Sequence, residues 1–128
     1  MKTLLLDTNA ISAFFKGDSH VLNGLAEADR VWISTIVLGE LYAGFRSGDQ
    51  FSRNMGELKK LLTCSTVEVL PVTSETADYY GRLYLSLRKQ GMPIPTNDLW
   101  IAAQTLEQGA VLFTFDKHFA AIPGLRVG

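Results

Sequence analysis

The chain reads as an α/β protein, three layers deep, with a central and mostly parallel sheet of four or five strands held between helices. Three observations predict this. Four short aliphatic runs, Thr3 to Leu6, Val31 to Ser34, Val67 to Leu70 and Val111 to Phe115, have the length and composition of buried strands. Segments with helical spacing lie between them, and alternating strands and helices are the pattern of a parallel sheet covered on both faces. The 128 residues, 47% of them hydrophobic, suffice for one continuous core, so residues 1–128 are expected to form one domain.

Taken in order, the first strand ends at Asp7, and a short helix from Asn9 to Lys16 is closed by Gly17. A second helix runs from Ser19, a plausible cap, to Ala28. After the second strand, Ser34 can cap a helix reaching about Arg46; a turn at Gly48 leads into a helix from about Gln50 to Leu62. Phe51, Met55, Leu58 and Leu62 give that arm its apolar period, and the two arms together form a helical hairpin. Thr73 or Ser74 caps a long helix that carries Tyr80, Leu83 and Leu87 and ends at Gly91. Met92 to Pro95 breaks the pattern before a last helix from Asn97 or Asp98 to Gln108, stopped by Gly109. A fifth, edge strand is expected at Leu125 to Val127.

Composition narrows the function classes. No segment approaches the roughly 18 apolar residues of a membrane span, and Asp7 ends the opening apolar run before a secretory core of about 7 to 15 residues is reached. Cys64 is alone, so neither a disulfide framework nor a thiolate metal cluster is available, and the cytoplasm is the expected compartment. With a net charge of −1 the chain lacks the basic excess of a protein that holds nucleic acid by its backbone alone. If it acts on a polynucleotide, bound divalent cations are the obvious source of the missing positive charge.

Four carboxylates carry the chemistry. Asp7 follows the first strand and Asp116 the fourth, and in a parallel sheet the carboxyl ends of the strands share the edge where ligands bind. Each alone reads equally as a cap or turn residue. Glu40 has Ile36, Val37, Ala43 and Gly44 as its helical neighbours, a small and apolar face on which a carboxylate needs a cation, a metal or several donors. A salt bridge to Arg46 or Lys2 is the bland alternative. Asp98 opens the last helix with Ile101 and Ala102 on its face; it can serve the helix dipole, but Thr96 and Asn97 are already available as caps. At about 4 Å and an effective dielectric near 20, each pair of carboxylates repels by roughly 4 kcal/mol. A cluster of four must therefore take up protons or bind a cation, and an all-oxygen donor set selects magnesium, with manganese as substitute, over zinc. The two histidines share no motif: His118 follows Asp116 in a turn and His20 opens a helix, so a metal-independent nuclease with paired histidines is not indicated.

Asp7-Thr8-Asn9, Glu40 within Thr35 to Leu41, Asn97-Asp98 through Ala103, and Thr114-Phe115-Asp116-Lys117-His118-Phe119 resemble the four signature blocks of the PIN-domain nucleases, in particular the VapC-type toxins of prokaryotic toxin-antitoxin pairs. The blocks occur in order over Met1 to Val127. The resemblance implies a PIN-like fold, magnesium- or manganese-dependent cleavage of RNA, a homodimer, and inhibition by a cognate antitoxin protein. It makes Asp7, Glu40, Asp98 and Asp116 both the catalytic residues and the metal ligands. Asp7 and Asp98 are then first choices for direct ligands, Asp116 a shared or second ligand, and Glu40 the holder of a water or the base. Thr8, Asn9 and Thr114 read as orienting residues or as turn formers.

Three other readings remain. A nuclease of the same fold acting in RNA maturation or on DNA is the nearest, and a non-catalytic protein-binding module keeps the fold without the chemistry. A phosphoacceptor receiver domain needs an acidic pair after the first strand and an acceptor aspartate after the third; here Thr8 and Asn9 follow Asp7, and Pro71 follows Leu70. Arg46, Lys59, Lys60, Arg88 and Lys89 are the expected RNA contacts, and Phe45, Phe51 and Met55 on the hairpin the expected uncovered apolar surface.

Overall fold

The computed structural model describes residues 1–128. Four strands, β1 (Thr3–Leu6), β2 (Arg30–Ser34), β3 (Val67–Leu70) and β4 (Val111–Phe113), form one sheet in the order β3-β2-β1-β4, and every pairing is parallel. Six helices flank it in a three-layer arrangement: α1 (Thr8–Phe15), α2 (Ser19–Glu27), α3 (Thr35–Ser47), α4 (Phe51–Leu62), α5 (Ser74–Lys89) and α6 (Thr96–Gln108). Leu4, Leu5 and Leu6 of the inner strand β1 are at most 1% exposed, the burial expected of a strand covered on both faces. They belong to a core cluster of 27 buried apolar residues.

The order of strands decides where the site lies. From β1 the chain moves outward to β2 and β3, then crosses back to place β4 on the other side of β1. A crevice opens at such a switch point, outside the carboxyl ends of β1 and β4. Asp7 leaves β1 and Asp116 follows β4 at this point.

Several element ends differ from expectation for local reasons. β4 stops at Phe113 because Thr114 turns its hydroxyl to Asp7 Oδ2 (2.8 Å) and the Phe115 N–H donates to Asn9 Oδ1 (3.2 Å) instead of to a strand. The fifth strand is reduced to one parallel bridge, Leu112 to Val127, held by Leu112 N–H to Arg126 O and Gly128 N–H to Leu112 O, both 2.9 Å. Asp18, not Ser19, caps α2 by accepting from Val21 N–H at 3.1 Å. Ser34 caps α3 and Thr73 caps α5, the latter in a reciprocal box with Thr76. Neither Thr96 nor Asn97 caps α6: Pro95 occupies the cap position without a side-chain hydrogen bond, so Asp98 in the first turn is not redundant with a side-chain cap.

The hairpin covers itself better than its composition implies. Phe45 is 8% exposed with its ring 6.3 Å from that of Phe15, and Phe51 and Met55 are partly buried against the core. On the hairpin Tyr42 is exposed, and more exposed apolar residues lie elsewhere, including Tyr84 and Leu85 near the end of α5 and Met92 just beyond it.

Candidate active site

Asp7 is 6% exposed and caps α1: Oδ1 accepts from Thr8 N–H at 2.8 Å while Oδ2 accepts from the Thr114 hydroxyl at 2.8 Å. The capping reading is therefore true of this residue, and it holds only part of what the carboxylate offers, since each oxygen keeps a further lone pair. Thr114 is itself tied down, accepting from Asp116 N–H at 3.0 Å and lying 3.4 Å from Asn9 Oδ1. One buried hydroxyl thus links the loop after β4 to the end of β1.

Glu40 lies on α3, half-buried, and its Oε1 accepts from the Thr8 hydroxyl at 2.7 Å. Of its expected apolar face, Val37 is buried and Ile36 partly so, whereas Ala43 and Gly44 are open to solvent. The anticipated salt bridges are absent: Lys2 pairs with Glu27 at 3.5 Å, and the Arg46 guanidinium sits 4.7 Å over the Phe51 ring. Glu40 Oε2 makes no hydrogen bond within the protein.

Asp98 lies in the first turn of α6, and Asp116 opens a short 3-10 turn, Lys117–Ala121, accepting from His118 N–H at 3.3 Å. Asp7, Asp98 and Asp116 thus all sit at helical amino ends, where unpaired N–H groups and the backbone dipole favour negative charge. With Glu40 they line one cleft of about 540 Å³, together with Thr8, Asn9, Ser12, Ala13 and Lys16.

His118 completes the cluster. Its Nδ1 is 2.7 Å from Asp116 Oδ1 and its Nε2 2.9 Å from Asp98 Oδ2, so one imidazole bridges two of the carboxylates. Nε2 is shut off from solvent, yet the contact is out of line for a well-formed hydrogen bond. Donor atoms of Asp98, Asp116 and His118 all lie within 4.8 Å of one another, a spacing open to a single ion. Sequence reasoning set this histidine aside as a turn residue; the overlooked signal was that a tight turn after Asp116 carries position 118 back toward position 116. His20 lies apart, its ring 5.2 Å from that of Phe113.

The electrostatics reflect the crowding. Burial pushes the Asp7 carboxyl above its ordinary range; the bonds from Thr114 and Thr8 oppose this, and the charges of Glu40 and Asp116 add to it. Burial also raises Asp98, against the pull of His118 and reinforced by Asp7 and Glu40. Asp7 and Asp98 are thus both biased toward their protonated forms. None of the five basic residues expected to contact RNA lines this cleft; Lys16 does.

Known proteins share this architecture. Ribonuclease VapC1 of Haemophilus influenzae strain R2866 is 34% identical over 127 residues, covering 95% of this chain and 93% of its own. The solved structure of VapBC2 from Rickettsia felis, bound to a DNA fragment from their promoter, superposes with a TM-score of 0.87 at 31% identity, covering 98% of this chain and 97% of that one. VapBC-5 of Mycobacterium tuberculosis, a member of the VapBC family of toxin-antitoxin systems, gives 0.73 at 29% identity, covering 99% and 100%. The PIN domain family pattern matches residues 4–125, nearly the whole length, and the chain belongs to that family.

Proposed function

We propose that this protein is a divalent-metal-dependent endoribonuclease, the toxin of a type II toxin-antitoxin pair, acting in the cytoplasm as a single PIN domain. The observation that carries the reading is the gathering of Asp7, Glu40, Asp98 and Asp116 into one cleft at the β1/β4 switch point. Relatives named ribonuclease and structural neighbours from toxin-antitoxin complexes support it. No helix is long and apolar enough to cross a membrane.

The residues present fit a hard cation. Four carboxylates supply hard oxygen donors, and two of them are pushed toward protonation by burial and by the charge of neighbouring carboxylates. Asp7, Asp98 and Asp116 would hold magnesium or manganese, with Glu40 and His118 beside them. When bound, such an ion supplies positive charge against the phosphodiester and lowers the pKa of water.

The chain's own residues supply the positioning. Thr114 and the Thr8 N–H fix both oxygens of Asp7, and the Thr8 hydroxyl fixes one oxygen of Glu40 and leaves the other to take a proton from the attacking water. The water oxygen bonds to phosphorus and the bond to the 3′ oxygen breaks, with solvent protonating the leaving oxygen. The products carry a 5′-phosphate and a 3′-hydroxyl. No histidine pair is required.

The antitoxin would inhibit most simply by placing an arginine among the carboxylates, where its charge takes the place of the ion. A homodimer fits the exposed Tyr84, Leu85 and Met92 better than the hairpin. The direct test is incubation of the purified protein with single-stranded RNA, with magnesium or manganese and with EDTA. Cleavage that needs the metal and leaves 5′-phosphate ends is expected. Cleavage unaffected by EDTA, or ending in 2′,3′-cyclic phosphate, would exclude this mechanism.

A further inference from the structure

The carboxylate cleft does not end at the carboxylates. A second cleft of about 340 Å³ adjoins it, and the two share Ser12 and Lys16. From Lys16, at the carboxyl end of α1, this second cleft runs to Arg53 and Asn54 on α4. Lys16 and Arg53 are both exposed. Neither makes an ion pair or ring contact, although Lys2, Lys60 and Arg82 are ion-paired and Arg30, Arg46 and Arg82 sit over aromatic rings. The carboxyl end of α1 favours a cation through the helix dipole, so Lys16 needs no counter-ion to remain there. Glu57, the acid of this second cleft, lies 3.7 Å from Lys60.

We propose that Lys16 and Arg53 form a phosphate subsite that grips the RNA strand one or more nucleotides away from the bond that is cut. This rests on the ribonuclease reading and adds the path of the substrate to it. Nine positions along α1 separate the backbones of Lys16 and Asp7, about 13 Å at 1.5 Å per residue, and Arg53 lines only the second cleft, so a phosphate held between Lys16 and Arg53 lies beyond the carboxylates. A polyanion entering a cleft with four carboxylates needs fixed positive charge on its approach, and these two cations line the clefts without partners of their own. Arg53 offers a planar fork and Lys16 a point charge, while Ser12 and Asn54 add neutral donors. The lining favours a phosphate chain over an apolar peptide, because one of its two aromatic residues, Phe45, is buried.

The test uses the whole protein with manganese and a single-stranded RNA oligonucleotide containing a mapped cleavage site. A companion set of oligonucleotides carries one neutral methylphosphonate at each successive position flanking that site. The Lys16→Ala/Arg53→Ala variant should raise KM by about tenfold with kcat nearly unchanged, and the salt dependence of binding should flatten by about one to two units. One methylphosphonate position should raise KM for the parent protein and leave the variant unaffected. Lys16→Arg/Arg53→Lys, which keeps the charge, should recover most of the affinity. If the parent cleaves and Asp7→Asn does not, yet the double variant keeps the parent's KM and salt slope, the subsite is overturned and the nuclease reading stands. The same unchanged RNA profile with lost inhibition by the cognate antitoxin would overturn the subsite and assign the cleft to that protein. A parent protein that cleaves no RNA with either metal would overturn both.

Discussion

Asp7 both caps a helix and faces the candidate metal cleft, and the two roles predict different outcomes for one substitution. In Asp7→Asn, the amide oxygen can still accept from Thr8 N–H, and its NH2 can donate to the Thr114 hydroxyl, which is free to turn its own proton to Asn9. The fold is therefore kept. Cleavage should fall on the order of 10³-fold, the loss of several kcal/mol of charge stabilisation, and near-parental turnover would remove Asp7 from the site. The pH dependence has a definite sign. Asp7 and Asp98 hold protons above their ordinary value of 3.8, so the folded, metal-free protein binds more protons than the unfolded chain in that window. Their contribution to stability is full below 3.8 and is lost as pH rises through the raised values. Without metal, Asp7→Asn should melt a few degrees above the parent at neutral pH, and the gap should close as pH falls toward 3.8. Thr114→Ala, which frees Asp7 Oδ2 and strands the Asp116 N–H, should weaken metal affinity by about 10- to 100-fold. Thr114→Ser should restore it; failure of that rescue would make the role one of packing.

At the scale of elements, legibility followed the strength of local rules. Strand and helix identities were readable because Leu4 to Leu6 and Val67 to Leu70 are too short and aliphatic for anything but strands, and because Ser34 and Thr73 are capping types in capping places. Ends were less readable where a tertiary bond decided them: no local signal says that Thr114 will leave its strand to reach Asp7, a residue 107 positions away. The turn that returns His118 to Asp116 has a local signal, but the approach of Asp98 to the other nitrogen of His118 is a tertiary contact that no local rule announces. Close packing of α2 on the sheet was equally invisible. A Cβ on Gly24 would clash with Cε2 of the Phe113 ring, which is itself 4% exposed and has little room to move. Gly24→Ala gains about 1 kcal/mol of helix propensity but overpacks the core by about 1–3 kcal/mol. A net loss of up to about 2 kcal/mol is expected in urea unfolding, and an increase in stability would show that α2 can shift.

For the whole molecule, the parallel order β3-β2-β1-β4 converts four carboxylates scattered from position 7 to position 116 into neighbours. That convergence was legible from Asp7 and Asp116 at strand ends, and Glu40 stood out as an acid on a largely apolar stretch of helix. The cations were not legible, because Lys16 reads as the polar end of a short helix until α4 is seen to line the same cleft. Of the three apolar residues expected to be uncovered on the hairpin, Phe45 is buried and Phe51 and Met55 are partly buried. Light scattering at micromolar concentration is expected to give a dimeric mass, and Leu85→Glu to reduce it to a monomer; a monomeric parent would contradict this. Calorimetric titration of the metal-free protein with manganese reads out whether these acids form one divalent-cation site. Saturable binding that weakens as pH is lowered and is lost in both Asp7→Asn and Asp98→Asn is expected. Equal binding by the parent and the two variants, or none by the parent, would contradict it.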